Sequence, residues 1–276
     1  MAYVKPDLVV EQMVQVGVGK SQLLVRDLVM RGVLSGALLG VATTLAFTAS
    51  LQTKVGLVGA LVFPVGFVMI VLLGLELVTG NFALLPLGVR EGRVSVAALV
   101  TNWGWVFLGN LLGSVFYAWL FTLTLAPDSE MAKQIMAVSE AKTLGYAKLG
   151  GRGLEVALVK GILCNWLVTL GVVMALTSQS TIGKIAAMWL PILTFFAQGF
   201  EHSVVNMFVI PAGILLGAPV SLSTWWIWNQ LPVTLGNILG GVIFTGLALH
   251  ITYRKPALRT TPTLAGEMHG ALSSRS

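Results

Sequence analysis

The sequence predicts an all-α integral membrane protein with six transmembrane helices, built as two inverted three-helix repeats. The first observation is composition: 56% of the 276 residues are hydrophobic, only 10% are charged, and the mean hydropathy is +0.87. Soluble domains carry about 25% charged residues, so a surface with so few charges suits lipid rather than water. The other two observations are long uncharged runs and polar motifs that recur along the chain.

Five uncharged runs are long enough to cross a bilayer, because a spanning helix needs about 20 apolar residues. A sixth run, residues 185–217, is long enough but contains Glu201 and His202, and the second run continues past Glu76 towards Val89. We therefore expect the second and fifth of six helices to be broken. The five uncharged runs are 32–51, 55–75, 94–126, 161–183 and 225–249.

Two polar motifs recur in the second half of the chain with nearly constant spacing. The frame Glu-x4-Asn stands at Glu76–Asn81 and again at Glu201–Asn206, an offset of 125 residues. The Leu-Gly-Asn pattern at Asn110 recurs at Asn237, an offset of 127 residues. Because each half contains three crossings, an odd number, the second half must enter the membrane from the opposite side.

These patterns divide the chain into a transmembrane domain with a segment on either side. The first residues alternate charged and apolar side chains, which predicts an amphipathic helix that lies on the membrane surface or caps a pore mouth. The chain end is predicted to be a flexible cytoplasmic tail. The predicted boundaries are 1–27 for the amphipathic helix, 28–253 for the transmembrane domain, about 28–126 and 154–253 for its repeats, 127–153 for the loop between them, and 254–276 for the tail.

The positions of lysine and arginine predict that both termini are cytoplasmic. Arg90 and Arg93 lie between the second and third runs, and Lys184 lies between the fourth and fifth. By the positive-inside rule these loops, with the basic chain ends, face the cytoplasm. The loop at 127–153 faces the other side and yet contains Lys133, Lys142, Lys148 and Arg152, which argues against the assignment.

Several function classes are disfavoured by composition. The net charge of +6 comes from basic residues between the runs and at the ends, which is typical of membrane orientation and not of a nucleic-acid surface. The single cysteine, Cys164, allows neither an internal disulfide nor a cysteine zinc cluster. The runs show no metal-ligand set and no nucleophile with a base, so we expect no cofactor, no metal and no enzymatic activity.

Glu76, Glu201 and His202 are the polar groups whose placement needs an explanation. A charged group at membrane depth costs at least about 2.5 kcal/mol, so these residues need partners or water and mark a pathway. A helix broken at mid-membrane leaves N–H groups unpaired at the start of its second half. We expect the two glutamates to accept hydrogen bonds from those N–H groups and hold the loops, rather than to contact a solute.

His202 is the predicted solute-contacting residue, because it lies at a break and can donate a hydrogen bond or proton to an anion. A buried histidine that is merely satisfied by its neighbours is the alternative. Thr79, in the other break, offers a hydroxyl and an N–H to the same solute, or else caps its own loop. Asn110 and Asn237 lie among small residues and are predicted to bond between helices rather than to line a pore.

Three runs of sequence resemble the formate/nitrite transporter family over residues 28–253. They are Glu76-Leu-Val-Thr-Gly-Asn81, Lys160-Gly-Ile-Leu-Cys-Asn-Trp-Leu-Val168 and Phe200-Glu-His-Ser-Val-Val-Asn-Met-Phe208. The resemblance implies an aquaporin-like protomer in a homopentamer, each protomer with its own pore for small monovalent anions. The sequence around Glu76 is also similar to that of the photosynthetic branch of the family, which is linked to nitrite and bicarbonate. The resemblance therefore implies a bacterial inner membrane or a plastid inner envelope.

The resemblance also implies roles for individual residues. The family's central histidine falls on His202, its loop threonine on Thr79, and the asparagine that supports the histidine on Asn165. The mouth lysine falls near Lys148, although the spacing from Lys148 to Asn165 is one residue longer than in the family. Four further positions match the apolar constriction (Phe63 and Phe195) and the loop gate (Leu77 and Val78).

The leading hypothesis is a passive or proton-coupled channel for nitrite, formate or bicarbonate. The alternative is a neutral-solute pore of the aquaporin or glycerol type. An aquaporin would show an Asn-Pro-Ala motif in each half-helix, whereas Glu201 and His202 stand in the second break here.

Overall fold

A computed structural model describes residues 3–254, so the predicted tail lies outside the described residues except for Arg254. The described part of the chain is helical, and its one β-bridge joins Tyr3 to Ser178. The helices are α1 (Pro6–Ser21), α2 (Val25–Thr53), α3 (Gly56–Leu72), α4 (Val78–Arg90), α5 (Val96–Thr122), α6 (Glu130–Lys142), α7 (Leu144–Lys148), α8 (Gly151–Leu176), α9 (Thr181–Ala197), α10 (Ser203–Leu215) and α11 (Leu222–Tyr253).

Four of these helices, α2, α5, α8 and α11, are long and apolar enough to cross a membrane. The second and fifth predicted spans each consist of two shorter helices, α3 with α4 and α9 with α10. A glycine with φ +63° follows the first helix of each pair, Gly74 after α3 and Gly199 after α9. A left-handed residue ends a helix, and glycine adopts it without steric cost, so both breaks are encoded by glycines 125 residues apart.

The long helices pack in two close pairs, α2 against α5 and α8 against α11. Small residues stand at each contact and let the backbones approach, as is common between helices in lipid. At Gly113 of α5, an added Cβ would lie 1.9 Å from the Val33 carbonyl oxygen of α2, which leaves room for glycine only. The last helix, α11, contains two π-helical stretches, Trp226–Gln230 and Gly240–Leu247.

The N-terminal segment differs from its prediction in extent and in packing. Helix α1 ends at Ser21 and α2 already begins at Val25, so residue 27 lies inside the first long helix. The apolar side chains of Val10, Met13 and Val14 are fully buried against α4 and α8. Helix α1 therefore packs onto the helix bundle, which favours the capping alternative over a helix that lies on the membrane surface alone.

The segment at 127–153 is predicted as a loop but is largely helical. Ser129 caps α6, its side chain accepting a hydrogen bond from the Ala132 N–H. Ala132 and Ile135 of α6 are fully buried, and charged side chains occupy its other face. A short helix with one narrow apolar face contains nearly as many polar residues as a surface loop, and for this reason composition does not distinguish the two.

Candidate functional site

Each helix break is closed by an asparagine from a neighbouring long helix, whose side chain forms hydrogen bonds to the backbone on both sides of the break. At the first break, the Val78 N–H donates to Asn110 Oδ1 at 3.0 Å. At the second, the Ser203 N–H donates to Asn237 Oδ1 at 2.8 Å. Each asparagine amide also donates to the carbonyl oxygen of the glutamate before the break, at 2.9 and 3.0 Å. Both asparagines bond between helices, as the sequence predicts.

The glutamates therefore have a different role from the one predicted. Instead of accepting from loose N–H groups, each carboxylate pairs with a lysine from a short helix outside the predicted repeats. Lys20 Nζ of α1 lies 2.7 Å from Glu76 Oε1, and Lys142 Nζ of α6 lies 2.7 Å from Glu201 Oε2. A charged partner offsets part of the cost of burying a carboxylate. Both glutamates are only 2% exposed.

Two more asparagines extend each lysine–glutamate pair into a hydrogen-bonded network. Asn81 Nδ2 donates to Glu76 Oε2 at 2.8 Å and to Asn102 Oδ1 at 2.9 Å. Asn102 Nδ2 in turn donates to the Lys20 carbonyl oxygen at 3.1 Å. In the second half, Asn206, Asn229 and Lys142 make the same three bonds, at 2.7, 2.8 and 3.0 Å. The predicted frames Glu76–Asn81 and Glu201–Asn206 are thus brought together as matching Lys–Glu–Asn–Asn networks.

The second network has one additional member. The Tyr146 hydroxyl of α7 donates to Glu201 Oε1 at 2.7 Å, and no such bond is made to Glu76 among the described residues. Burial, and the adjacent Glu201 carboxylate, raise the pKa of Tyr146, so its phenol stays protonated and keeps donating. Glu201 therefore has a more complete set of partners than Glu76.

Sequence reasoning missed the two lysines and Tyr146. Lys20 and Lys142 were counted only as orienting charges, because they lie 56 and 59 residues from their glutamates. One signal was available: in both halves the lysine is followed by a small hydroxyl residue, Ser21 or Thr143, a short distance before a long helix. Lys148, the predicted mouth lysine, is exposed at the end of α7 and lies apart from this network.

His202 and Thr79 are in direct contact, although 123 residues separate them in the chain. His202 Nε2 lies 3.0 Å from Thr79 Oγ1. His202 is also the N-cap of α10, and its Nδ1 accepts a hydrogen bond from the Val205 N–H at 3.2 Å. Since Nδ1 accepts, the ring proton of the neutral histidine is on Nε2, so Nε2–H donates to Thr79 Oγ1. The Thr79 hydroxyl hydrogen then remains available to another acceptor.

Asn165 supports the threonine rather than the histidine. Its Nδ2 donates to the Thr79 carbonyl oxygen at 3.1 Å and to the Asn237 carbonyl oxygen at 2.6 Å. Among the described residues it makes no bond to His202. It therefore ties the first break to the asparagine that closes the second break.

A cavity of 170 Å³ reaches His202 from the α6 side. It is lined by Lys142 and by aromatic rings, and the Phe195 ring stacks on the His202 imidazole with centroids 5.7 Å apart. Phe63 was predicted as a constriction residue but does not line this cavity. It lies behind it, fully buried, with its ring stacked on Phe196 at 4.0 Å.

A second cavity, of 280 Å³, lies on the α1 side of the molecule. Leu77 is part of its wall, together with Lys20 and Lys184. Val78, the other predicted gate residue, faces an outer groove between α5 and α11 instead. Leu77 stands at the position that His202 occupies in the second break, so the α1-side cavity ends at an aliphatic side chain where the α6-side cavity ends at an imidazole.

No group of three or more histidine, cysteine and acidic side chains within residues 3–254 is placed to hold a metal ion. Cys164 is fully buried in α8. The chemistry that the site offers is hydrogen bonding and charge. A neutral imidazole with a hydroxyl partner lies between two cavities, one lined by Lys142 and the other by Lys20 and Lys184.

Comparison with known proteins identifies close relatives. A family model described as "Formate/nitrite transporter" matches residues 7–251. The "Probable formate transporter" of Methanothermobacter thermautotrophicus is 43% identical over 213 residues, which cover 73% of this chain and 76% of that protein.

Two solved structures share the fold. One is an "FNT family ion channel", with a TM-score of 0.78 and 30% identity over 90% of this chain and 99% of that chain. The other is a "Pentameric formate channel with formate bound", with a TM-score of 0.70 and 27% identity over 83% of this chain and 97% of that chain.

Proposed function

We propose that this chain, which belongs to the formate/nitrite transporter family of integral membrane proteins, is a channel for small monovalent weak-acid anions. Formate and nitrite are the substrates named for the family and its relatives, and bicarbonate has the same weak-acid chemistry. The family consists of transporters and channels and not of enzymes, in agreement with the sequence-based expectation.

One observation carries the proposal: the hydrogen bond between His202 and Thr79, with the aromatic α6-side cavity reaching the histidine. Thr79 is fully buried and does not line this cavity, so an anion must pass His202 to meet its hydroxyl, whose oxygen already accepts from the imidazole. A hydroxyl that accepts a hydrogen bond is a better donor to its next partner, because chained hydrogen bonds polarise one another. The pair is thus suited to bind a carboxylate or nitrite oxygen in a place otherwise lined by apolar side chains.

Proton coupling is part of the proposal. Apolar walls give a charged solute little compensation for its lost water, whereas a neutral acid crosses them at lower cost. The proton that the anion takes up comes from water on the side of entry and is released to water on the other side. The Nε2–H of His202 and the Thr79 hydroxyl form a hydrogen-bond chain to the solute and keep their own protons. We propose that weak-acid anions pass the narrowest region as neutral acids, and that chloride, which cannot be protonated there, is excluded.

Six crossings in two inverted repeats are proposed as the frame of the channel. The matching Lys–Glu–Asn–Asn networks and the two asparagine-closed breaks support a duplicated unit. Because matching lysines come from α1 and α6, the unit begins at these short helices and is longer than the repeats read from the sequence. With three crossings in each repeat, both termini lie on one side, proposed to be cytoplasmic.

A homopentamer in a lipid bilayer is the proposed assembly. The pentameric formate channel that shares this fold supports it. A bacterial inner membrane is the proposed location, with a plastid inner envelope as the alternative. Each protomer of the assembly then has its own pore, because His202 and Thr79 come from the same chain.

The test is flux into liposomes that contain the purified protein and a pH-sensitive dye. Formate, nitrite and bicarbonate should each enter, enter faster as the outside pH is lowered, and change the internal pH, whereas chloride should not cross. Chloride currents equal to nitrite currents with no internal pH change would replace proton coupling with a plain anion pore. Glycerol flux without anion flux would identify a neutral-solute pore instead.

A further inference from the structure

The α1-side cavity has an unusual balance of charge. Its wall is almost entirely apolar, and its charged or amide side chains are those of Lys20, Asn81 and Lys184. Two of these side chains already have partners. Lys20 Nζ is paired with Glu76 at 2.7 Å, and the Asn81 amide donates to Glu76 and Asn102.

Lys184 differs from both. It lies in the first turn of α9, is partly buried at the cavity wall, and forms no ion pair or side-chain hydrogen bond with any other residue in 3–254. Since Lys20 and Glu76 cancel each other, the ammonium of Lys184 is the net charge of this cavity. An uncompensated cation beside apolar walls attracts anions more strongly than the same cation in open water, because the walls exclude screening solvent.

The α6-side cavity has no counterpart to this lysine. Its single lysine, Lys142, is neutralised by Glu201 at 2.7 Å. The two mouths of the pathway are therefore unequal: one is electrically neutral and reaches the histidine, and the other has a net positive charge and ends at Leu77.

We propose that Lys184 forms an anion-capture site in the α1-side cavity, for small carboxylates and oxyanions such as formate and nitrite. The anion binds the free ammonium, exchanges part of its water for it, and is concentrated in front of Leu77. Lys184 thus sets how readily anions enter from the α1 side, whereas His202 and Thr79 set which anions pass. This site rests on the channel function proposed above, but its binding step can be measured without transport.

Binding is tested in detergent by the rate at which a small, uncharged amine-acylating reagent modifies each lysine, followed by mass spectrometry. Formate or nitrite should slow modification of Lys184 several-fold and leave the exposed Lys133 unaffected at the same ionic strength. Chloride in place of formate separates a site for oxyanions from general screening. Equal rates at Lys184 with and without formate or nitrite would overturn the proposal.

Transport is tested in liposomes with Lys184→Gln, Lys184→Arg and the control Lys133→Gln, at an exposed lysine of α6. For entry from the α1 side, Lys184→Gln should raise the half-saturating anion concentration roughly three-fold, leave the maximal flux unchanged, and weaken the dependence of entry on salt. Lys184→Arg and Lys133→Gln should behave as the unaltered protein. An unchanged half-saturating concentration in Lys184→Gln, or an arginine variant as impaired as the glutamine variant, would overturn the site.

The two proposals fail separately. Protection of Lys184 by formate in a protein that conducts no anion would retain the site and reject the channel. Selective anion flux without protection or salt dependence would retain the channel and reject the site.

Discussion

The two helix breaks share one scaffold and differ at the residue that faces the pathway. At both, a glutamate is paired with a lysine, two asparagines complete the network, and a third asparagine accepts a hydrogen bond from a buried backbone N–H group. The residue after the glutamate, however, is Leu77 in the first break and His202 in the second. The comparison shows that the repeated polar groups hold the broken helices, and that the anion chemistry proposed for His202 lies where the repeats differ.

The supporting networks also differ in strength. Glu201 accepts from Lys142, Tyr146 and Asn206, and Glu76 accepts from Lys20 and Asn81. The glutamate at the break that contains the histidine thus has more hydrogen-bond partners than the glutamate at the other break. For the proposed channel, a rigid surrounding preserves the geometry of His202 relative to Thr79, on which the proposed anion binding depends.

The largest expected effect comes from breaking the better satisfied network. Glu201→Gln leaves the Lys142 ammonium unpaired and should destabilise the protein by about 3–5 kcal/mol, the usual cost of removing one partner of a buried ion pair. Glu76→Gln should cost less, because Glu76 has fewer partners. The measurement is the melting temperature and the yield of assembled protein in detergent. Equal losses in the two variants would remove the distinction between the breaks.

His202→Leu makes the second break resemble the first. Loss of the imidazole should lower formate and nitrite flux about 100-fold, in line with removal of a positioned donor, while the assembled protein remains. The lost N-cap of α10 should cost only about 1 kcal/mol of stability. Liposome flux and melting are measured on the same preparation, with Leu77→Ile as the matched control. Flux that persists in His202→Leu would reject the histidine as the site.

The closing asparagines test whether the scaffold is symmetric. Asn110→Leu and Asn237→Leu each leave a buried N–H without its acceptor and should destabilise by about 1–3 kcal/mol, to a similar extent. Ser114→Ala, on the same helix as Asn110, removes a single weaker bond to the Gly36 carbonyl and serves as the control. A large effect of one asparagine and none of the other would show that only one break depends on such closure.

Tyr146→Phe removes the contact that only the second break has. The variant should destabilise by about 1 kcal/mol, since Glu201 retains its lysine and asparagine. The same substitution has no equivalent in the first half, so the two networks should become alike: after it, Glu76→Gln and Glu201→Gln should cost nearly the same. Melting of the double variants measures this. Persistent inequality would place the difference elsewhere.

The smallest expected effect distinguishes the two short helices that carry the lysines. Helix α1 is also tied to other elements through Glu11, which pairs with Arg254 and Arg93. A hydrogen bond from Gln15, and then the bond and charge of Arg254, hold the pKa of Glu11 below its usual value of 4.5. Because the pKa of Glu11 is lowered in the folded state, its carboxylate stabilises the folded protein at pH values above 4.5. This contribution is lost as the pH falls through the folded-state pKa.

Hydrogen exchange of α1 should therefore accelerate slightly below about pH 4.5, and in Glu11→Gln this acid-dependent step should be absent. Any acid response of α6 should be the same in both proteins, because it comes from Glu130, whose pKa is lowered by the hydrogen bond from Lys133. Because Glu11 is partly exposed, the expected change is a few tenths of a kcal/mol. An α1 whose exchange shows no difference between Glu11→Gln and the unaltered protein would exclude this tether.

Much of the site could be predicted from sequence because the repeat displays it twice. Glu76 with Glu201, and Asn110 with Asn237, are conspicuous as polar groups at equal offsets inside apolar runs. The contact between His202 and Thr79 also follows from placing one in each break. The lysine that pairs with Glu201 was missed because it lies in the segment 127–153, which was predicted to be a loop and contains α6.

The sequence by itself determined the class of protein, the breaks and the polar residues at them, because each of these follows from local costs. A run of 20 apolar residues, a glycine in a left-handed turn and a carboxylate in lipid have energies that depend mainly on their own chain neighbourhood and solvent. Only the tertiary structure decided which partner each polar group has. Lys20 reaches Glu76, and Lys142 reaches Glu201, across more than 50 residues of chain, through the packing of α1 and α6 against the breaks. Such pairings depend on how helices approach one another in space, and hydropathy contains no information about that approach.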